Sequence, residues 1–292
     1  MVIRLRYKWI FGIGAGIVCA ILLLVLLTGP LSTNVVTDIK DAVKLPIFMY
    51  HEVKNKKSGK DAITPAELEA DFKYLNDNHF NTITMAQLIA YVYDNIPLPE
   101  NPIIITFDDG YLSTYVNVLP LLKQYNIHIV FSIIGKNADD FTKRPDSNID
   151  YSHATWEQIN EMVATGLVEV QNHTYNLHAN KGRIGCKQCK GETLAQYEKV
   201  MHDDIGMLQD LITQKIGITP TTFTYPYGLS SKYTDMILRE MGFKATLSCT
   251  YGINQITKEP STLYGLKRVC RSHDQSLQKL LKEVLKTIRP AS

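Results

Sequence analysis

The chain has 292 residues, of which 45% are apolar and 21% charged, a composition typical of a globular protein with one large core. Its formal net charge is +2, but three of its 31 basic residues, Arg4, Arg6 and Lys8, precede every acidic residue, which leaves 28 basic against 29 acidic residues in the body. A body with a net charge near −1 lacks the basic surface that nucleic acid requires, so we expect no nucleic-acid partner.

The N-terminus has the pattern of a membrane anchor. Trp9 to Thr37 is uncharged, and its core at 10–28 is almost wholly apolar, long enough as a helix to span the ~30 Å hydrocarbon layer. Basic residues before this helix place that side in the cytoplasm and the body outside. A cleaved signal peptide, the rival interpretation, puts the body in the same compartment. The predicted organisation is a cytoplasmic tail at 1–9, a single-pass transmembrane helix at 10–28, a linker at 29–44 and a catalytic domain at 45–289.

From Leu45 onward, short apolar runs alternate with helical patterns. Two capping boxes, which begin at Thr64 and Thr84, predict the starts of two helices. Predicted strands lie at 45–50, 103–107, 128–134, 167–170, 222–225 and 243–247. Predicted later helices lie at 155–165, 193–215, 232–241 and 274–288. Strands separated by helices indicate a parallel sheet, and about seven such units favour an α/β fold, a distorted (β/α)7-type barrel preceded by the transmembrane helix.

Two adjacent carboxylates stand at the end of the apolar strand 103–107. Placing the charged side chains of Asp108 and Asp109 side by side at the end of an apolar strand costs free energy. Strand alternation points the two side chains in different directions, so one can bind a metal while the other faces a substrate. Gly110 allows a sharp exit from the strand. The alternative is a simple turn, because Asp-Asp-Gly is also good turn chemistry.

Two histidines follow another strand. His173 and His178 are five residues apart, a spacing that suits a loop better than one face of a helix, and imidazole is a preferred zinc ligand. A third polar-aromatic segment, Thr224-Tyr-Pro-Tyr-Gly228, follows the strand at 222–225 and is compatible with a tight turn. In a barrel the three strand ends meet at one face, where chemistry collects.

Together these segments resemble the polysaccharide deacetylases of carbohydrate esterase family 4. The family's first motif, Thr-Phe-Asp-Asp-Gly, is complete at 106–110, and His173 and His178 correspond to its histidine pair with one extra residue between them. That longer spacing is similar to the branch that deacetylates poly-β-1,6-N-acetylglucosamine. In the third motif Thr224 replaces the family's arginine. The resemblance covers roughly residues 45 to 289.

The resemblance implies a mechanism. Asp109, His173 and His178 would bind a divalent metal, zinc by expectation, with cobalt, nickel or iron as alternatives. Asp108 would be the general base that takes a proton from water, and the backbone N–H of Tyr227 would help to stabilise the oxyanion. The family arginine that Thr224 replaces normally orients this base, so the sequence leaves the tuning of Asp108 in doubt.

The general acid has two candidates. The family's late Leu-x-His motif is missing near the end of this sequence. In the poly-β-1,6 branch the order of motifs is circularly shifted, so Met49-Tyr-His51 fits that motif, and His51 is preferred over His273. The alternative for His51 is a histidine satisfied by a neighbouring carboxylate such as Glu52.

Four cysteines lie in the body of the chain. Cys186 and Cys189 have the spacing of half a zinc site, but with only one such pair a local disulfide or free thiols are favoured. The pairing of Cys249 and Cys270 is left open.

The sequence therefore predicts a membrane-anchored hydrolase that releases acetate from an N-acetylated extracellular or cell-wall polysaccharide. Two alternatives stay open, a glycan-binding pseudoenzyme without turnover and a metal-dependent amidase of small amides. The loss of the family arginine favours the first of these, whereas the anchor disfavours the second, because a tethered enzyme suits a polymer. The glycan linkage and the oligomeric state are left open.

Overall fold

The computed structural model describes residues 42–55 and 59–287. The predicted tail at 1–9, the predicted transmembrane helix at 10–28 and most of the predicted linker lie outside these residues. Among the residues that are described, no helix has both the length and the apolar character needed to cross a membrane. The first described strand begins at Val43, two residues before the predicted start of the domain.

A curled parallel sheet forms the centre of the domain, which confirms the predicted α/β fold. The strands are β1 (Val43–Leu45), β2 (Ile47–Tyr50), β3 (Glu52–Val53), β4 (Ala62–Ile63), β5 (Asn81–Thr82), β6 (Pro102–Phe107), β7 (Ile129–Ile133), β8 (Val168–Asn172), β9 (Thr222–Thr224), β10 (Ala245–Leu247), β11 (Asn254–Ile256) and β12 (Val269–Cys270). The main sheet has the order β10-β9-β8-β7-β6-β2-β12, with β5 beside β6. A parallel bridge also pairs Leu247 of β10 with Leu266, which lies in the segment before β12.

Helices cover the outside of the sheet. They are α1 (Pro65–Asp77), α2 (Met85–Tyr93), α3 (Leu119–Tyr125), α4 (Gly135–Lys143), α5 (Trp156–Ala164), α6 (Leu194–Ile216), α7 (Thr234–Glu240) and α8 (Leu277–Lys286). Both predicted capping boxes are formed, with the hydroxyls of Thr64 and Thr84 accepting from the N–H three residues later. The same device begins α5 and α6, at Thr155 and Thr193.

Strand alternation divides β6 between two environments. Ile103, Ile105 and Phe107 belong to the hydrophobic cluster shared with the covering helices. Ile104 belongs to a second cluster, inside the curl of the sheet. Since successive side chains on a strand point to opposite faces, Thr106 and the residue that follows the strand, Asp108, point into the curl like Ile104.

A buried ion pair joins α1 to the segment before α8. The guanidinium of Arg271 donates to both carboxylate oxygens of Asp71, at 2.7 and 3.2 Å, and both residues are almost fully buried. The hydroxyl of Tyr50 and the N–H of Leu277 also donate to this carboxylate. Each charge is therefore hydrogen-bonded, which is the condition for tolerating a buried pair.

We expect Asp71→Ala to destabilise the domain by about 3–5 kcal/mol, because it leaves the Arg271 charge buried without its partner. Urea unfolding followed by circular dichroism measures this change. Lys73→Ala on the same helix removes only the exposed pair with Asp77 and is expected to leave the midpoint almost unchanged. Equal midpoints for the Asp71 variant and the wild type would contradict the assignment.

Candidate active site

The predicted site residues converge at the carboxyl ends of neighbouring strands. Asp108 and Asp109 follow β6, His173 follows β8, and His51 follows β2. All four line one cavity of about 380 Å³, together with His178, Tyr227 and several residues of the flanking loops. The parallel sheet thus places residues that are distant in the sequence around a single space.

Asp108 is held by an arginine that the sequence did not reveal. The two terminal nitrogens of Arg268 donate to the two carboxylate oxygens of Asp108, at 2.9 and 2.8 Å. Arg268 comes from the segment before β12 and is fully buried. It supplies a guanidinium contact to Asp108 from a part of the chain other than the one that contains Thr224.

Arg268 is the first of the charges that keep Asp108 ionised. Burial raises the pKa of this carboxyl, but the charge and hydrogen bonds of Arg268, together with the nearby imidazoles of His173 and His51, outweigh burial and lower the net pKa. Asp108 is therefore an ionised carboxylate at neutral pH, as a proton acceptor has to be.

Asp109, His173 and His178 have the geometry of a metal site. Their candidate ligand atoms all lie within 4.8 Å of one another, and the Nε2 atoms of both histidines are 3.3 Å from Oδ1 of Asp109. That oxygen is buried and has no hydrogen-bond partner among the described residues. A buried carboxylate oxygen facing two imidazole nitrogens fits a divalent cation that takes nitrogen and oxygen ligands.

The position that lacks the family arginine orients one of these histidines. Nδ1 of His173 lies 2.8 Å from the carbonyl oxygen of Thr224, so the ring donates its Nδ1 proton there and leaves Nε2 free to face Asp109. Such a contact from a neighbouring carbonyl fixes the tautomer and orientation of a metal-binding histidine. The Thr224 hydroxyl is engaged elsewhere, at 2.7 Å from Ser132.

Unusual backbone conformations cluster at these residues. Asp109, Thr174 and Tyr227 all have a positive φ, of 71°, 73° and 57°, a backbone conformation that is strained for residues other than glycine. Gly110 follows with a φ of 81°, and a Cβ there would lie 3.3 Å from Ile133. The sharp exit predicted for Gly110 therefore needs glycine both for its conformation and for its close approach to β7.

Of the two candidate general acids, the structure places only His51 in the cavity. Its Nδ1 is buried and has no hydrogen-bond partner among the described residues, and the neighbouring Glu52 is bound to Lys54 at 2.6 Å instead. His273 is not among the cavity residues and lies 2.7 Å from Asp274. The role of His51 as an acid stays a prediction, but its position permits it.

Tyr227 forms part of the cavity wall. Its ring lies against that of His178, with centroids 4.4 Å apart, and its hydroxyl donates to the His178 carbonyl at 3.2 Å.

Cys249 lines the same cavity beside Arg268. The four cysteines of the described residues are all free thiols, so Cys186 and Cys189 do not form a local disulfide, and neither belongs to a group of three metal-ligating side chains among these residues.

A protein-family model described as polysaccharide deacetylase matches residues 95–246, more than half of the chain. The matched segment contains Asp108, Asp109, His173 and His178. His51 and Arg268 lie outside it, on either side.

Curated and solved relatives agree with this match. Poly-β-1,6-N-acetyl-D-glucosamine N-deacetylase of Escherichia coli (strain K12) is 24% identical over 258 residues, covering 81% of this chain but only 38% of the relative. IcaB from Ammonifex degensii is 29% identical with a TM-score of 0.67, over 82% of this chain and 96% of that chain. The de-N-acetylase from Aggregatibacter actinomycetemcomitans is 25% identical with a TM-score of 0.70, over 82% and 99%.

We expect Arg268→Met to move the acidic limb of the pH–rate profile to higher pH, because burial then acts on Asp108 without the compensating charge. At neutral pH we expect kcat/KM to fall by roughly 10- to 100-fold, within what general-base catalysis contributes. Arg268→Lys, which keeps the charge, should shift the limb less.

Lys267→Met is the matched control, since it removes an exposed positive charge one residue earlier. Thermal melts establish that each variant is folded. An acidic limb that stays in place in a folded Arg268→Met protein would contradict the pairing as the determinant of base ionisation.

Proposed function

Since the chain belongs to the polysaccharide deacetylase family, we propose that it is an N-deacetylase of a polymer of β-linked N-acetylglucosamine, with the β-1,6 linkage as the first choice. The observation that carries this proposal is the meeting of an Arg268-bound Asp108 with the Asp109, His173 and His178 cluster in one cavity. The linkage rests on similarity to relatives named for poly-β-1,6-N-acetyl-D-glucosamine, of which this chain spans only part.

The three-residue cluster of Asp109, His173 and His178 would hold the metal, with zinc as the first choice. When bound there, a divalent cation supplies Lewis acidity, which polarises a carbonyl and lowers the pKa of water. No other group of three or more metal-ligating side chains is found among the described residues.

The remaining steps use residues of the chain. Asp108 accepts a proton from the attacking water while the oxygen of that water bonds to the acetyl carbon. The backbone N–H of Tyr227 helps to stabilise the negative charge that develops on the acetyl oxygen. His51 then donates a proton to the sugar nitrogen as the carbon–nitrogen bond breaks. Acetate and a free amine leave the site.

One observation bears on the pseudoenzyme alternative. The argument for a pseudoenzyme was the missing family arginine, and Arg268 supplies an equivalent contact to the base. The small-amide alternative differs from polymer hydrolysis in its substrate, so a comparison of acetate release from polymers and from small amides distinguishes the two.

The first experiment measures acetate release from β-1,6-, β-1,4- and small-molecule N-acetyl substrates by the purified full chain, stripped with a chelator and then reloaded with zinc or cobalt. We expect metal-dependent release from a polymer. Asp108→Asn should reduce release by at least about 100-fold while metal binding is retained, and Asp109→Asn should lose both.

Asp210→Asn, on the exposed face of α6, is the isosteric control and should match the wild type. Release from small amides alone would favour the amidase. Absence of release from every substrate, with metal still bound, would favour the pseudoenzyme.

We further propose that residues 10–28 anchor the chain in the membrane and that the domain acts outside the cytoplasm. The support is the sequence alone, an uncharged apolar segment after three basic residues. We expect the full chain to sediment with membranes and to resist extraction by salt, and a chain lacking 1–28 to be soluble. Recovery of full-length chain in the soluble fraction would contradict the anchor, and a mature N-terminus after residue 28 would indicate a cleaved signal peptide instead.

A further inference from the structure

A second cavity, of about 240 Å³, adjoins the first at the candidate metal ligands. Asp109, Tyr111 and His178 line both cavities, so the two spaces share a wall at the reacting centre. A polymer whose acetyl group lies at the metal centre has neighbouring sugars on both sides of it. The second cavity lies directly beside the residues that would hold that acetyl group.

Uncharged hydrogen-bonding groups and ring faces line this second cavity. The side-chain amide of Asn137 lies 2.9 Å from Nε2 of His153, whose ring stacks on Tyr111 with centroids 4.7 Å apart at 27°. Asn176 is an exposed residue that lines the same space, and within the described part of the chain only its backbone N–H makes a hydrogen bond, to Asp204. Convergent amides beside an aromatic wall are suited to a ligand rich in hydroxyl and amide groups.

The charge of the two cavities differs. Asp109 is the sole carboxylate among the described residues that line the second cavity, and it is a candidate metal ligand. Burial lowers the pKa of His153 to about 4, so its imidazole is neutral at physiological pH. The first cavity carries Glu52, Lys60 and Asp61 in addition.

The small number of charged groups in the second cavity affects the acetylated and the deacetylated form of a neighbouring sugar differently. An N-acetylated sugar is neutral, whereas a deacetylated one carries an ammonium group that loses hydration on entering a cavity without a free counter-charge. The second cavity therefore suits the first state and disfavours the second.

We propose that the second cavity is the subsite for the sugar next to the one being deacetylated, and that it takes this neighbour in its N-acetylated form. The inference rests on the proposed function, since such a neighbour exists only in a polymeric substrate. It implies that the enzyme acts before that neighbour has lost its own acetyl group, which imposes an order of reaction along the chain.

The test uses three β-1,6-linked trimers with an acetylated central sugar, one fully acetylated and two with a free amine on one or the other flanking sugar. Loss of the central acetyl group is followed by mass spectrometry with the metal-loaded full chain. We expect kcat/KM to fall by about tenfold, equivalent to ~1.4 kcal/mol, for one singly deacetylated trimer and to change little for its isomer, because one flanking sugar alone enters this cavity.

Variants connect this preference to the cavity. Asn176→Asp introduces a carboxylate of the same shape and should narrow the difference between the fully acetylated trimer and the disfavoured isomer. Asn137→Ala should raise KM for the fully acetylated trimer by more than it lowers kcat. Gln124→Ala, on the exposed surface of α3, should behave as the wild type, and thermal melts check that each variant is folded.

Equal kcat/KM values for all three trimers, or an unchanged preference in folded Asn176→Asp protein, would overturn the subsite while leaving deacetylation intact. Absence of acetate release from every trimer would instead overturn the proposed function.

Discussion

The buried guanidinium of Arg268 is the interaction on which the site depends. An arginine has five N–H donors, and here five acceptors surround it: both carboxylate oxygens of Asp108, the Thr106 hydroxyl, the Ser248 carbonyl and the Cys249 thiol. A buried charge is tolerated only under such conditions, and removal of one partner is strongly destabilising. The pair therefore fixes the position and the charge of Asp108 at once, and it requires β6, β10 and the segment before β12 to lie together.

The backbone at the site is strained in places, and the surrounding structure offsets the cost in stability. Asp108 continues the alternation of β6 into the curl, whereas Asp109 leaves the strand with a positive φ and turns toward His173 and His178. Each such conformation costs on the order of 1–3 kcal/mol. The packed strands on either side offset this cost, because β6 is buried along nearly its whole length.

Part of this arrangement could be predicted from the sequence because its signals are local. Asp108, Asp109 and His173 each follow an apolar run, and parallel strands bring such ends together, so the fold class and the candidate metal ligands could be predicted from pattern and motif. Arg268 gave no comparable signal. It stands beside Lys267 in what looks like a solvent-exposed basic pair, and its strand, Val269–Cys270, has only two residues. Its partner is 160 residues earlier in the chain, and no periodicity carries information over that separation. The antiparallel pair of β1 and β11 was missed for a similar reason, since each strand has only three residues.

The separation between Arg268 and Asp108 also has a consequence for synthesis. The chain is synthesised from its N-terminus, so the candidate metal ligands and Asp108 are made before Arg268. Until the segment before β12 docks beside β2 and β10, Asp108 lacks the charge that holds it ionised in a buried position. The closing segment thus supplies the guanidinium that pairs with Asp108 only after most strands of the sheet have been synthesised.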